Sequence, residues 1–255
     1  GIIPGILIGL GEIIVAVLLS RKYNYGSEHE FSLIRVFKTF FGALPALLLP
    51  FIIIGGIMGG VFTPTEAAGI AVTYAFIVSL FIYRNLTFKR FFDSVKQATV
   101  LTGAVMLIIS VAKLLGWVFS YAQIPQLLVG PVLTLTDSPA IFMWLAAVVL
   151  IIAGTFMHGT AMLVVIVPLF LPIVEQMGIN AFQFAMVVIM SWGIGQQTPP
   201  VGSALFVSCT LANVDLLEIT KANLPFISVL VFVLGLVIHL PQVVVYPLLT
   251  MLGVF

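Results

Sequence analysis

Two short polar runs interrupt the apolar stretches of this sequence, and their residue types suit a small hard cation. The first is Gly154-Thr155-Phe156-Met157-His158-Gly159-Thr160. The second is Gly193-Ile194-Gly195-Gln196-Gln197-Thr198-Pro199-Pro200-Val201-Gly202. Pro199 and Pro200 bring no N–H donors and disfavour helix in the residue before them, so carbonyls are left without partners. Carbonyl and hydroxyl oxygens are ligands for a hard cation, by the reasoning that applies to calcium, and need no carboxylate. Half-helix N-termini facing the same point would favour an anion. For either break alone, a kink without a ligand is as good an account as a site. Two breaks, both rich in Thr, Gly and Gln, favour a site for an ion and its substrate at membrane depth.

The elements that must carry these runs are membrane helices. Hydrophobic residues make up 62% of the chain and charged residues 7%, with a mean hydropathy of +1.27. A soluble domain carries about 25% charged residues. So little charge could not cover a globule, and lipid must be the main solvent. Residues 39–65, 67–83, 138–174, 176–214 and 222–255 contain no Asp, Glu, Lys or Arg. A spanning helix needs about 20 mostly apolar residues, so these runs supply several spans. A net charge of +1 argues against nucleic-acid binding, and the single Cys209 excludes an intrachain disulfide. The sequence opens at Gly1-Ile2-Ile3, within an apolar element, and reads as the C-terminal part of a longer polypeptide.

Along the chain, residues 1–20 form a first apolar segment closed by Arg21 and Lys22. Residues 27–42 and 85–96 pair Phe-rich faces with basic ones, as helices lying in the membrane interface do. Between them, 43–60 and 66–83 read as two crossings joined by Val61-Phe62-Thr63-Pro64-Thr65-Glu66, with Thr63 as N-cap. Both basic pieces then share the cytoplasmic side. Segments 97–120, 181–214 and 224–246 cross again. The arms 139–153 and 161–174 would be only about 21–23 Å long as helices, against a hydrocarbon core of about 30 Å. A re-entrant hairpin is expected there, although two full crossings fit the loop charges equally well. Lys113 is the one basic residue deep in an apolar run, and a structural role is favoured for it.

The spacing of these features resembles the large membrane subunit of tripartite ATP-independent periplasmic (TRAP) transporters. The resemblance rests on Pro45, Pro50, Gly55-Gly56 and Val61-Phe62-Thr63-Pro64-Thr65-Glu66-Ala67-Ala68. It continues through Gly154-Thr155-Phe156-Met157, Pro168, Pro172, Gly178-Ile179 and Thr198-Pro199-Pro200-Val201-Gly202, followed by Leu205-Phe206-Val207. It covers nearly the whole chain.

The resemblance implies an all-α membrane protein with the ion transporter superfamily's elevator fold, its inverted repeats, re-entrant hairpin and broken transmembrane helix. On that pattern 1–20 is the last helix of the first repeat and 21–42 an amphipathic connecting arm. Residues 43–138 are scaffold and arm helices of the second repeat. Residues 139–180 are the outer re-entrant hairpin of the transport domain, 181–214 its broken helix, and 215–255 the terminal helix. The implied activity is sodium-coupled uptake of an organic anion, of sialic acid or C4-dicarboxylate type, in the bacterial inner membrane. The implied partners are a small membrane subunit, a periplasmic substrate-binding protein and the N-terminal half of the same large subunit. Carried over by motif, Gly154, Met157, Thr160, Thr198 and Gly202 are expected to bind sodium. Thr155, His158, Gly159, Gln197 and Pro199 are expected to face substrate. His158 departs from the family pattern, where an acidic residue is expected. The alternatives are a symporter of the same kind working without a binding protein, a non-transporting assembly subunit, and an intramembrane hydrolase. The last lacks any HExxH or Gly-x-Ser-x-Gly pattern, and no enzyme is expected.

Overall fold

A computed structural model describes residues 1–24, 32–157 and 159–251. Among these residues every regular element is helical. Among the described residues six helices are long and apolar enough to cross a membrane, and the all-α membrane class expected from the sequence holds. By Cα proximity the chain divides into one unit of Gly1–Tyr25 with Ala104–Phe255 and another of Gly26–Gly103.

The second unit is a helical hairpin. Its first helix, α2, runs Leu33–Met58 and starts at Ser32, whose hydroxyl accepts from the Arg35 N–H. The expected boundary at 42/43 falls inside this single helix, which continues through Pro45 and Pro50. Within the hairpin, neighbouring side chains reach carbonyls near these prolines: the Tyr74 hydroxyl donates to Pro45 O at 2.8 Å and that of Tyr83 to Gly42 O at 3.0 Å. The turn closes where the Phe62 ring lies against the Gly56 backbone. Thr63 then caps α3 (Pro64–Ile77) through a complete capping box with Glu66, as the Thr-Pro-Thr-Glu sequence predicts. A wider turn, Val78–Ile82, extends α3.

The other interfacial piece, 85–96, is not a separate element. It is continuous with 97–120 in α4 (Phe88–Tyr121), because no Gly or Pro stands at residues 88–102 to interrupt hydrogen bonding.

In the first unit, α1 (Ile2–Tyr23) packs along the helix Leu216–His239 and α5 (Ile124–Leu135) along the helix Val167–Gln176. The core is α6 (Pro139–Phe156) against α9 (Ala181–Gln196), with α11 (Leu216–His239) across both. Phe142 stacks on Phe184 near the start of α6 and α9, with centroids 6.4 Å apart, and Gly154 meets Gly195 near their ends. The two helices therefore run parallel. The opposite polarity of α11 follows from Trp144 Nε1 donating to His239 Nε2 at 3.1 Å, and from Asn223 reaching Gln197. Leu150, Val187, Leu234 and Val237 are fully buried between the three. Buried Gln183 fixes one end: its Nε2 donates to Val237 O at 3.0 Å and Ile238 O at 3.1 Å, and its Oε1 accepts from the Tyr246 hydroxyl at 3.2 Å. The outward faces stay apolar and exposed, as with Ile141, Val148 and Ile152 of α6. Such surface belongs against lipid or further protein.

Candidate functional site

Both polar runs interrupt helices, but the breaks are shorter than the sequence suggests. Helix α6 continues to Phe156, with Met157 as an extended C-cap whose N–H donates to Ala153 O at 2.8 Å. The first arm is thus 18 residues, not 15, or about 27 Å. Its shortness no longer argues for re-entry. Gly154 and Thr155 stay helical for identifiable reasons. Gly154 packs on the backbone of Trp192 and Gly195, and the Thr155 hydroxyl donates to Ile152 O at 2.8 Å.

The second arm differs in the opposite sense. Instead of one helix over 161–174, α7 (Gly159–Val165) and α8 (Val167–Gln176) meet at a 50° bend around Ile166. Pro168 has no N–H to continue the ladder, and the helix turns there.

In the second run the helix persists through Gly193 to Gln196, and the true break is Gln197 to Gly202, before α10 (Ser203–Ala212). The Pro199–Pro200 peptide within it is cis. Gly202 has φ +42°, a left-handed conformation that residues with a Cβ adopt at a cost, and its N–H donates to Thr155 O at 3.1 Å. That bond joins the last turn of α6 to the second break.

Gly202 is also where oxygens gather. A Cβ added to it would stand 2.8 Å from the Thr198 carbonyl oxygen and 3.0 Å from that of Gln196. With Thr155 O, which already accepts from the Gly202 N–H, three carbonyls lie about this one residue. The neighbouring carbonyls are already engaged. Ile194 O accepts from Gln197 N–H at 3.1 Å and the Thr198 hydroxyl at 2.7 Å, and Gly195 O accepts from Thr198 N–H at 3.0 Å. Because α6 and α9 are parallel and end together, two helix C-termini point at the same place. Each carries roughly half a negative charge in its last turn, which favours a cation. Among the described residues no group of three His, Cys, Asp or Glu side chains converges, and the oxygens brought together at Gly202 are neutral carbonyls. The donor set fits a hard monovalent ion. From the same point α10 departs with its first N–H groups facing back.

The ten residues singled out by sequence distribute as follows. Gly154, Thr155, Gly159 and Gly202 are buried, and Met157, Thr160, Gln197, Thr198 and Pro199 are partly buried. Thr155 and Gly202 are hydrogen-bonded to each other, and Gly154 abuts α9 one turn before Gln197. Gly159 presses on the Trp192 indole, where a Cβ would lie 2.6 Å from ring carbons. Among the described residues no hydrogen bond joins the Thr160 hydroxyl to the second break. His158 lies outside the described residues. Two contributors escaped the sequence reading. Gly195 allows α6 and α9 to touch, and Asn223 of α11 donates to Gln197 Oε1 at 3.2 Å. Asn223 stands just before the expected crossing 224–246, after Glu218 and Lys221, so nothing in the sequence set it apart.

A family model described as "Tripartite ATP-independent periplasmic transporter, DctM component" matches residues 1–243. The sialic acid TRAP transporter large permease protein SiaM of Vibrio cholerae is 34% identical over 242 residues, which cover 95% of this chain and 57% of that protein. The C4-dicarboxylate TRAP transporter large permease protein DctM of Pseudomonas aeruginosa is 35% identical over 243 residues, covering 95% and 57%. The uncharacterized protein YgiK of Salmonella typhimurium is 33% identical over 242 residues, covering 95% and 55%. The chain spans about half the length of the curated relatives it matches.

Proposed function

This chain belongs to the DctM component family of tripartite ATP-independent periplasmic transporters, and on that premise we propose that it forms the C-terminal part of a large permease subunit that takes up an organic anion with sodium. It is a multi-pass protein of the inner membrane. The observation that carries the proposal is the Gly202–Thr155 hydrogen bond, which brings the end of α6 and the second break, with their carbonyls, to one point. Sodium supplies the positive charge that draws the anion in. The chain's own part is to surround it with the oxygens of Thr155, Gln196 and Thr198 and to offer the start of α10 to the anion's carboxylate. Gly154, Met157, Thr160, Thr198 and Gly202 form the sodium side. His158, Gly159, Gln197 and Pro199 form the substrate side, and Thr155, expected from the sequence to face substrate, contributes its carbonyl to the sodium side instead.

The substrate class is an organic acid of the sialic acid or C4-dicarboxylate kind, as named for two of the relatives. A periplasmic binding protein delivers it, and a small membrane subunit accompanies the large one. Movement follows an elevator scheme. Residues 139–180, as an outer hairpin, and the broken helix 181–214 travel with the ion and substrate. Residues 21–42 serve as the connecting arm, continuous with the first of the scaffold and arm helices in 43–138, while 1–20 is the last helix of the first repeat and 215–255 the terminal helix. The test is uptake of labelled sialic acid and succinate into proteoliposomes holding the complete permease with its binding protein. Uptake that rises with an inward sodium gradient supports the reading; equal uptake in choline overturns it.

A further inference from the structure

Asn223 sits in the N-terminal third of α11, two residues before Pro225, and faces a cavity of about 300 Å³ otherwise walled mainly by apolar groups such as Leu205, Ile219 and Phe226. Its Nδ2 lies 3.2 Å from Gln197 Oε1, and Gln197 Nε2 lies a long 3.4 Å from Gly193 O. The polarity of this chain is fixed. A backbone carbonyl can only accept, so the Gln197 amide nitrogen must face Gly193 and its oxygen must face Asn223, which therefore donates. Gln197 is the C-cap of α9 and the first residue of the break. Its backbone and that of Thr198 close the last turn on Ile194 O and Gly195 O. The carbonyls of Gln196 and Thr198 are thereby left turned toward Gly202.

We propose that Asn223 is a positioning residue for the cation site: from α11 it clamps Gln197, and through Gln197 it sets the carbonyl curl that ends at Gly202. This rests on the sodium site proposed above. Asn223 does not touch the ion. Without its donor, the Gln197 oxygen loses its partner in a largely apolar wall, and the curl can relax away from Thr155.

The test uses the complete permease complex, melted in increasing sodium chloride against choline chloride at constant ionic strength. Loss of one hydrogen bond should raise the sodium concentration for half-maximal stabilisation about fivefold in Asn223→Ala. Asn223→Leu keeps the volume without a donor, guards against a folding failure of the first variant, and should shift by a similar factor. The exchanged pair Gln197→Asn with Asn223→Gln restores the contact and should return half-saturation toward the wild-type value. A purely structural role would lower the melting temperature in choline and leave sodium half-saturation unmoved; that result overturns the proposal. Failure of the wild-type complex to be stabilised by sodium would instead refute the sodium site itself.

Discussion

Replacing Gly195 by Ala sets two effects of opposite sign against each other. In a helix interior Ala is favoured over Gly by roughly 0.5–1 kcal/mol, so propensity alone predicts a more stable α9. The packing predicts the reverse. A Cβ at Gly195 would stand 2.5 Å from Ile151 O and 2.9 Å from the Gly154 backbone. Neither is the flexible end of a side chain, so α6 and α9 must separate where their ends converge. Overpacking of this kind costs about 1–3 kcal/mol, leaving a net loss of about 0–2.5 kcal/mol, centred near 1, once the propensity gain is subtracted. Gly193 supplies the control. It lies on the same helix two residues earlier, and a Cβ there meets nothing within 4 Å. The assay is thermal melting of the purified complex with uptake measured in parallel. Gly193→Ala should melt at or above wild type. Gly195→Ala should melt below it and lose sodium-dependent uptake. If Gly195→Ala is as stable and active as Gly193→Ala, the close parallel contact of the two broken helices is wrong.

Thr198→Ala removes the hydroxyl that ties the break to Ile194 O, and should raise sodium half-saturation by roughly fivefold with little change in expression; wild-type sodium dependence would refute its assignment. Thr160→Ala tests the weaker assignment, since Thr160 is not bonded to the second break, and should weaken sodium dependence more than it reduces membrane expression. Gln183→Leu leaves the Val237 and Ile238 carbonyls and the Tyr246 hydroxyl without their shared partner, and should cost roughly 2–3 kcal/mol of stability while leaving sodium half-saturation unchanged, as a calorimetric melt and a sodium titration would establish.

The membrane class and the places where helices break were legible because composition and proline act locally. Pro199-Pro200 stops α9 whatever surrounds it, and Thr63-Pro64-Thr65-Glu66 caps α3 through its own residues. Break lengths were less legible because they depend on tertiary contact. Gly154 and Gly193 open the two polar runs in the sequence. Gly154 is instead held helical by close packing between α6 and α9, and the helix around Gly193 simply continues to Gln196. The fusion of 33–42 with 43–58 and of 88–96 with 97–121 was hidden for a related reason. Amphipathic and apolar stretches change the partner of a helix, not its hydrogen bonding. Within the site, the Thr155–Gly202 bond joins residues distant in sequence and is set by the parallel course of α6 and α9, which periodicity cannot reveal. Asn223 was overlooked because a single amide beside an expected crossing carries no spacing pattern.

The central claim is that two helix breaks meet and present neutral oxygens to sodium. Electron cryo-microscopy of the complete permease in sodium chloride and in choline chloride, at a resolution that reveals bound ions, tests it most directly. The account predicts density enclosed by the carbonyls of Thr155, Gln196 and Thr198 beside Gly202, present in sodium and lost in choline. Breaks that stand apart, or an identical map in both salts, would contradict it.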